Sequence, residues 1–214
     1  MTTRILIAAA LAALALTTAA CNVPSSTASP AAGGSTTDVQ AAVRALHGLA
    51  VKPEDTGAHY NRDDWPHWSI RSGQCDARED TLKRQGKGVT TRARCTVTGG
   101  TWVSRYDGVT VTDPKAIDID HMVPLAEVAR SGSREWTRAQ REHYANDPAV
   151  LVAVTAKSNR SKGDQDPAKW LPGKDRCGYV AQWVAVKSTY HLTIGPAERD
   201  AMAAVLGHCG TEAR

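Results

Sequence analysis

After residue 20 the sequence has no apolar run long enough to cross a membrane, which takes about 20 consecutive apolar residues. No internal repeat is visible, so a stacked-repeat architecture is set aside. No two cysteines stand in Cys-x-x-Cys spacing, which leaves a structural zinc site without its usual ligand pattern. Charge of one sign is also scarce, with 26 basic against 22 acidic residues and a net +4. Residues 1–20 contain one arginine and no acid, so the rest of the chain carries 25 against 22, or +3. That balance is compatible with a polyanion as partner but does not require one. Phenylalanine is absent, and aromatic packing falls to six tryptophans and five tyrosines. Most of the tryptophans are expected in the core; Trp136 and Trp170 are the two for which stacking on bases competes with packing.

What is present begins with Arg4, an apolar run from Ile5 to Leu16 and small residues before Cys21. This reads as a secretory signal over 1–20. Thr18-Ala19-Ala20-Cys21 resembles a lipobox, at which the new terminal Cys21 is acylated; Thr18 stands where leucine is usual, so release after Ala20 is the other outcome. Residues 21–37, rich in Ser, Thr, Ala, Pro and Gly and uncharged, cannot bury a core and read as a tether. The folded domain is expected over 38–214, about 175 residues, enough for one domain with a real core.

Four cysteines remain, Cys75, Cys95, Cys177 and Cys209. An even count in an exported chain favours disulfides, and four allow three pairings. Cys75–Cys95 and Cys177–Cys209 are chosen because each closes a local unit. Val39, Ala42, Val43 and Leu46 predict a helix ended by Gly48. Residues 51–68, with Trp65 and Trp68, read as an ordered loop. A short helix is predicted over 76–84 and a hairpin over 92–103 with its turn at Gly99-Gly100. Apolar strands are expected at 117–121 and 150–154. Asp166-Pro167 has the form of an N-cap with proline at the first helical position. Helices are predicted over 177–190 and 197–206, the second stopped by Gly207. The fold class is α+β.

Candidate chemistry concentrates between Asp118 and Trp170. Asp120 and His121 close the first strand, and Asn159 and Lys162 follow the second. Phosphodiester hydrolysis needs a base to take a proton from water and a cation to hold developing charge. A histidine, with a reference pKa of about 6.5, is a base near neutral pH. Asp120 and Asn159 offer hard oxygens suited to Mg²⁺, with Mn²⁺ as a substitute. Asp118 shares a strand face with Asp120 and is either a further ligand or a solvated residue. Lys162 either steadies a phosphate as a point charge or ends a solvated helix face. Arg141 and Arg160 are possible substrate contacts, set against a plain helix-surface role. Basic residues gather at Arg134, Arg138, Arg141, Arg160 and Lys162 around this region.

The joint order Asp120-His121-x-Val123-x-Leu125, Gly132-x-x-x-Trp136-Thr137-x-x-x-Arg141, Ala145-Asn146-Asp147-Pro148, Asn159-Arg160-Ser161-Lys162-Gly163-Asp164 and Trp170-Leu171-Pro172 resembles the HNH, or His-Me finger, nucleases. More narrowly, it is similar to secreted actinobacterial HNH proteins related to the GmrSD C-terminal nuclease domain, over most of residues 39–209. The resemblance implies a ββα-metal core with added helices and a disulfide-linked hairpin. It implies His121 as general base, and Asp120 and Asn159 as ligands of a divalent cation. The expected substrate is nucleic acid, DNA ahead of RNA, and any membrane contact would run through a lipid on Cys21. One departure is Val150, where HNH proteins often carry an asparagine that orients the histidine loop; Asn146, four residues earlier, is the weaker candidate for part of that work. That departure keeps open a non-catalytic envelope lipoprotein using the same fold as a binding module. A zinc-dependent wall hydrolase would need His143, His191 or His208 to converge on a metal, and their spacing does not recommend it.

Overall fold

A computed structural model describes residues 36–209. The expected signal, Cys21 and the tether up to residue 35 lie outside the described residues. The elements in order are α1 (Thr36–Gly48), β1 (Ile70–Ser72), β2 (Cys75–Asp76), α2 (Ala77–Gln85), β3 (Lys87–Thr91), β4 (Val97–Val103), β5 (Thr110–Val111), β6 (Ile117–His121), α3 (Leu125–Arg130), α4 (Arg138–Ala145), β7 (Leu151–Thr155), α5 (Ala156–Lys162), α6 (Arg176–Thr189) and α7 (Pro196–Cys209). The strands form two antiparallel pairs, β1-β2 and β6-β7, and a three-stranded sheet ordered β3-β4-β5. No helix among the described residues is long and apolar enough to cross a membrane.

The β6-β7 hairpin lies between two apolar clusters. Val152 and Val154 join the larger, built from α1, α3, α4, α6 and α7, while Ile117, Ile119, Leu151 and Ala153 join a smaller one with Ala77, Leu82, Val97 and Trp102. Burial on both faces is why Leu151-Val152-Ala153-Val154 reads as an unbroken apolar run rather than an alternation. In α1 the residues Val39, Ala42 and Leu46 are buried, one stripe of a 3.6-residue period.

Buried charge locks the helical layer. Lys187 on α6 is fully buried and donates to Glu127 of α3 (2.7 Å), Ser131 Oγ (3.0 Å), the Thr193 carbonyl (2.9 Å) and Glu198 of α7 (2.8 Å). An ammonium taken out of water needs such a full set of acceptors. Disulfides join Cys75 to Cys95 and Cys177 to Cys209.

Three local expectations are corrected. The hairpin exists, but its turn lies at 92–96, where Arg94 and Cys95 have φ of 58° and 62°, and β4 runs straight through Gly99-Gly100. Gly100 makes room rather than a bend: a Cβ there would sit 2.7 Å from the Trp102 ring, and one at Gly86 2.5 Å from its Nε1. Asp166-Pro167 caps no helix; the Asp166 carboxylate accepts from Ala168 N at 2.8 Å in a turn. Helix α7 passes Gly207 and reaches Cys209, which its disulfide holds against the start of α6.

Candidate active site

Antiparallel pairing of β6 with β7 sets Asp118 opposite Val154, Asp120 opposite Val152 and His121 opposite Leu151. Side chains alternate along a strand, so both aspartates point to one face and His121 to the other. Helix α5 follows β7 directly, with Thr155 as N-cap accepting from Ser158 N, and covers the aspartate face. Asp107 ties this junction by accepting from Thr155 Oγ1 (2.5 Å) and Ser158 Oγ (2.8 Å). Pro124 follows the strand end and starts α3.

On the aspartate face the structure makes two pairs. Asn159 Nδ2 donates to Asp118 Oδ2 at 3.0 Å. Asp120, 6% exposed, accepts at Oδ2 from both Tyr106 OH (2.6 Å) and Lys162 Nζ (2.5 Å). Lys162 is fully buried and donates also to the His121 carbonyl at 2.8 Å. Burial pushes the Asp120 carboxyl above its ordinary range, and the Lys162 ammonium pulls it back only in part. Burial likewise lowers the Lys162 pKa against the pull of Asp120. Lys162 is therefore the counter-ion of Asp120, neither the solvated helix residue nor the phosphate contact expected from its place in the chain.

On the other face His121 is 7% exposed and lies nearly parallel to two rings, Trp68 (centroids 6.1 Å apart, 22°) and Tyr144 (6.4 Å, 14°). Its Nε2 is 2.9 Å from the Ala145 carbonyl. A carbonyl only accepts, so Nε2 carries the hydrogen and Nδ1 keeps its lone pair. No hydrogen bond joins the imidazole to Asp120 or Asn159 among the described residues. Burial lowers the His121 pKa to about 3, against the raising effect of the Ala145 carbonyl, so the ring is neutral at pH 7. The ring is oriented by a main-chain carbonyl, which Val150 does not affect: Val150 is a core residue whose own carbonyl accepts from Met122 N at 2.8 Å.

The arginines divide. Arg160 is exposed on α5 beside Asn159 and makes no ion pair among the described residues. Arg141 is half-buried, 5.8 Å over the Trp65 ring, with its Nε buried and without a partner. Arg134 is held by Asp55 through two hydrogen bonds, 2.6 and 2.8 Å, and is not a free cation. Trp136 packs with Trp65, Tyr144 and Tyr190, and Trp170 with Tyr106 and Tyr179.

Sequence reasoning missed Tyr106, Trp68, Tyr144 and the Ala145 carbonyl, which reach the site from 14 to 53 positions away and carry no local signal. Among the described residues no three His, Cys, Asp or Glu side chains converge as a zinc site would require. The oxygen set of Asp118, Asp120 and Asn159 is instead chemically suited to a hard divalent cation, with Asp120 Oδ1 and the Asn159 amide oxygen free of the bonds above.

The chain is 42% identical over 168 residues to an uncharacterized secreted protein of the fungus Arthroderma benhamiae, covering 77% of this chain and 82% of that one. That relative is fungal, so the narrower likeness to actinobacterial proteins gains no support. No solved structure matches. A profile described as GmrSD restriction endonucleases, C-terminal domain, matches residues 76–205, more than half of the chain and the whole of the β6-β7-α5 unit. The chain thus belongs to the GmrSD restriction endonuclease C-terminal domain family.

Proposed function

We propose that this protein is an exported, metal-dependent HNH-type endonuclease that hydrolyses phosphodiester bonds in nucleic acid with His121 as general base. The observation that supports the reading is the tautomer of His121: Nε2 is spent on the Ala145 carbonyl, which leaves the Nδ1 lone pair as the proton acceptor. In the reaction Nδ1 takes a proton from water as the oxygen attacks phosphorus, and the bond to the leaving oxygen breaks. A bound divalent cation would neutralise charge on the phosphoryl and leaving oxygens. Asp120 and Asn159 would hold it, with Asp118 as the third oxygen donor; these oxygens lie on the opposite strand face from the imidazole, so water and phosphate would have to bridge the two around the strand end at His121. Lys162 keeps Asp120 ordered, and Arg160 meets substrate phosphate from the exposed side of α5, with Arg141 a second contact. The two disulfides and the secreted relative support export; an acyl group on Cys21 would tether the product, and its absence would release it. DNA is the favoured substrate, RNA the other.

Plasmid nicking in Mg²⁺ or Mn²⁺, arrested by EDTA and restored by added cation, is the expected result. Undiminished cleavage in EDTA refutes the metal. The engagement of Asp120 Oδ2 by both Lys162 and Tyr106 favours a second reading, a non-catalytic binding module of the same fold. That reading prevails if neither DNA nor RNA is cut with any divalent cation and calorimetry finds no Mg²⁺ binding. Arg160→Ala is expected to weaken DNA binding evenly across sequences and to reduce the slope of log affinity against log salt by about 1; an unchanged slope removes Arg160 from the interface.

A further inference from the structure

Residues 65–69 precede the family-matched span, yet they build one wall of the site. Trp68 stacks on His121 from a backbone with φ of 62°, a conformation costly for any residue with a Cβ and rare for a bulky one. Such a conformation persists only where its surroundings over-determine it. Here they do. Asn146 brackets Trp68, accepting from Ser69 N and donating to the Pro66 carbonyl, both at 2.8 Å. Ser69 Oγ donates to Glu142 at 2.6 Å, and the Ser69 carbonyl accepts from Ala77 N at 3.0 Å. His67 Nδ1 donates to the Trp65 carbonyl at 2.9 Å, and its ring stands edge-on to Trp68. Glu142, Ala145 and Asn146 are all at the end of α4, so one helix terminus grips both the imidazole, through the Ala145 carbonyl, and the segment that covers it.

We propose that Trp68 is a positioning residue for His121, fixing the plane of the imidazole so that Nε2 stays on Ala145 and Nδ1 keeps one aim, and that Asn146 is the clamp that holds Trp68 in place. The inference rests on His121 as general base, but the stack itself is measurable without turnover. Trp68 does not bond to substrate or exchange a proton. Its contribution is that an imidazole lacking one flanking ring samples orientations in which Nδ1 no longer meets the water.

The test uses the full chain. In metal-free protein the His121 ring protons are expected upfield from the currents of Trp68 and Tyr144. Trp68→Ala removes much of that displacement, Trp68→Phe retains most of it, and Asn146→Ala removes it although the Asn146 side chain does not touch the ring. In the cleavage assay Trp68→Ala lowers kcat by about 10²-fold, the scale set by small misplacements of a reacting group, with KM within about 2-fold. Trp68→Phe recovers most of the rate. Should Asn146→Ala fail to fold, Ser69→Ala, which removes only the bond to Glu142, is expected to shift the same resonances partway. Unmoved His121 resonances in Trp68→Ala overturn the proposal. So does an unchanged or higher kcat, which would make Trp68 a cover, or a rise in KM alone, which would make it a substrate contact. A wild-type protein that cuts nothing sinks the nuclease reading, and the resonances then still decide whether Trp68 sets the ring.

Discussion

Substituting His121 by alanine is expected to abolish the proposed cleavage, lowering kcat by about 10³-fold or more, the upper part of the range for a lost general base, while the protein still unfolds in one cooperative step. Loss of the base follows from the position of the ring. Its Nδ1 is the one imidazole nitrogen not committed to the Ala145 carbonyl; burial that keeps the ring neutral also makes it a weaker base than a solvated histidine, so the role rests on that geometry. The fold survives because the neighbouring Trp68 and Tyr144 are anchored independently, Trp68 through its flanking residues on Asn146 and Tyr144 through its hydroxyl on the Val123 carbonyl at 2.6 Å. His121→Gln sharpens the experiment, since an amide can still donate to Ala145 but cannot serve as a base. Its activity should fall as far as that of the alanine variant. Plasmid nicking measured against circular dichroism on the same samples checks both halves, and cleavage by either variant at the parental rate ends the mechanism.

The second large effect is on stability. Lys162→Met leaves Asp120 buried at 6% exposure with the Tyr106 hydroxyl and the His121 backbone N–H as its remaining donors. Breaking a buried ion pair by removing one partner costs about 3–5 kcal/mol, because an uncompensated carboxylate must stay charged in a poor solvent or take up a proton. For a domain of this size that lowers the unfolding temperature by about 10 °C or more. Pairing it with Asp120→Asn removes the stranded charge while keeping an acceptor for Tyr106, so the double variant should recover a large part of the loss. Scanning calorimetry of the wild type, the two single variants and the double variant gives the coupling directly. A Lys162→Met protein as stable as its parent would show that the ammonium is not what keeps Asp120 in place.

How much of this was readable from the chain follows from the range of the interactions. Periodicity is local, so α1, α6, the strands at 117–121 and 150–154, and the helix after them were legible. The Asp120-His121 and Asn159-Lys162 pairs fell on one short supersecondary unit and could be recognised from order alone. What the sequence hid is of two kinds. Gly99-Gly100 obeys a turn rule, yet the pair lies inside β4 and Gly100 serves another purpose, space for Trp102, which is visible only once the indole is in place. Trp68, Tyr106 and Tyr144 reach the site from separate segments, and nothing in an aromatic's immediate neighbours says which distant side chain it will face. The assignment of Lys162 failed for a related reason. A lysine in a polar run reads as solvated, and only the burial of Asp120 behind Tyr106 requires an ammonium there.

The lock around Lys187 has a consequence for how the molecule comes apart. One amine serves acceptors on α3, on α7 and on the segment between α6 and α7, so none of these can swing away without stranding it. Backbone amides across all three helices are therefore expected to exchange with deuterium through one shared opening, at a single slow rate rather than a graded series. Such an opening leaves no half-open intermediate in this layer for a protease to nick.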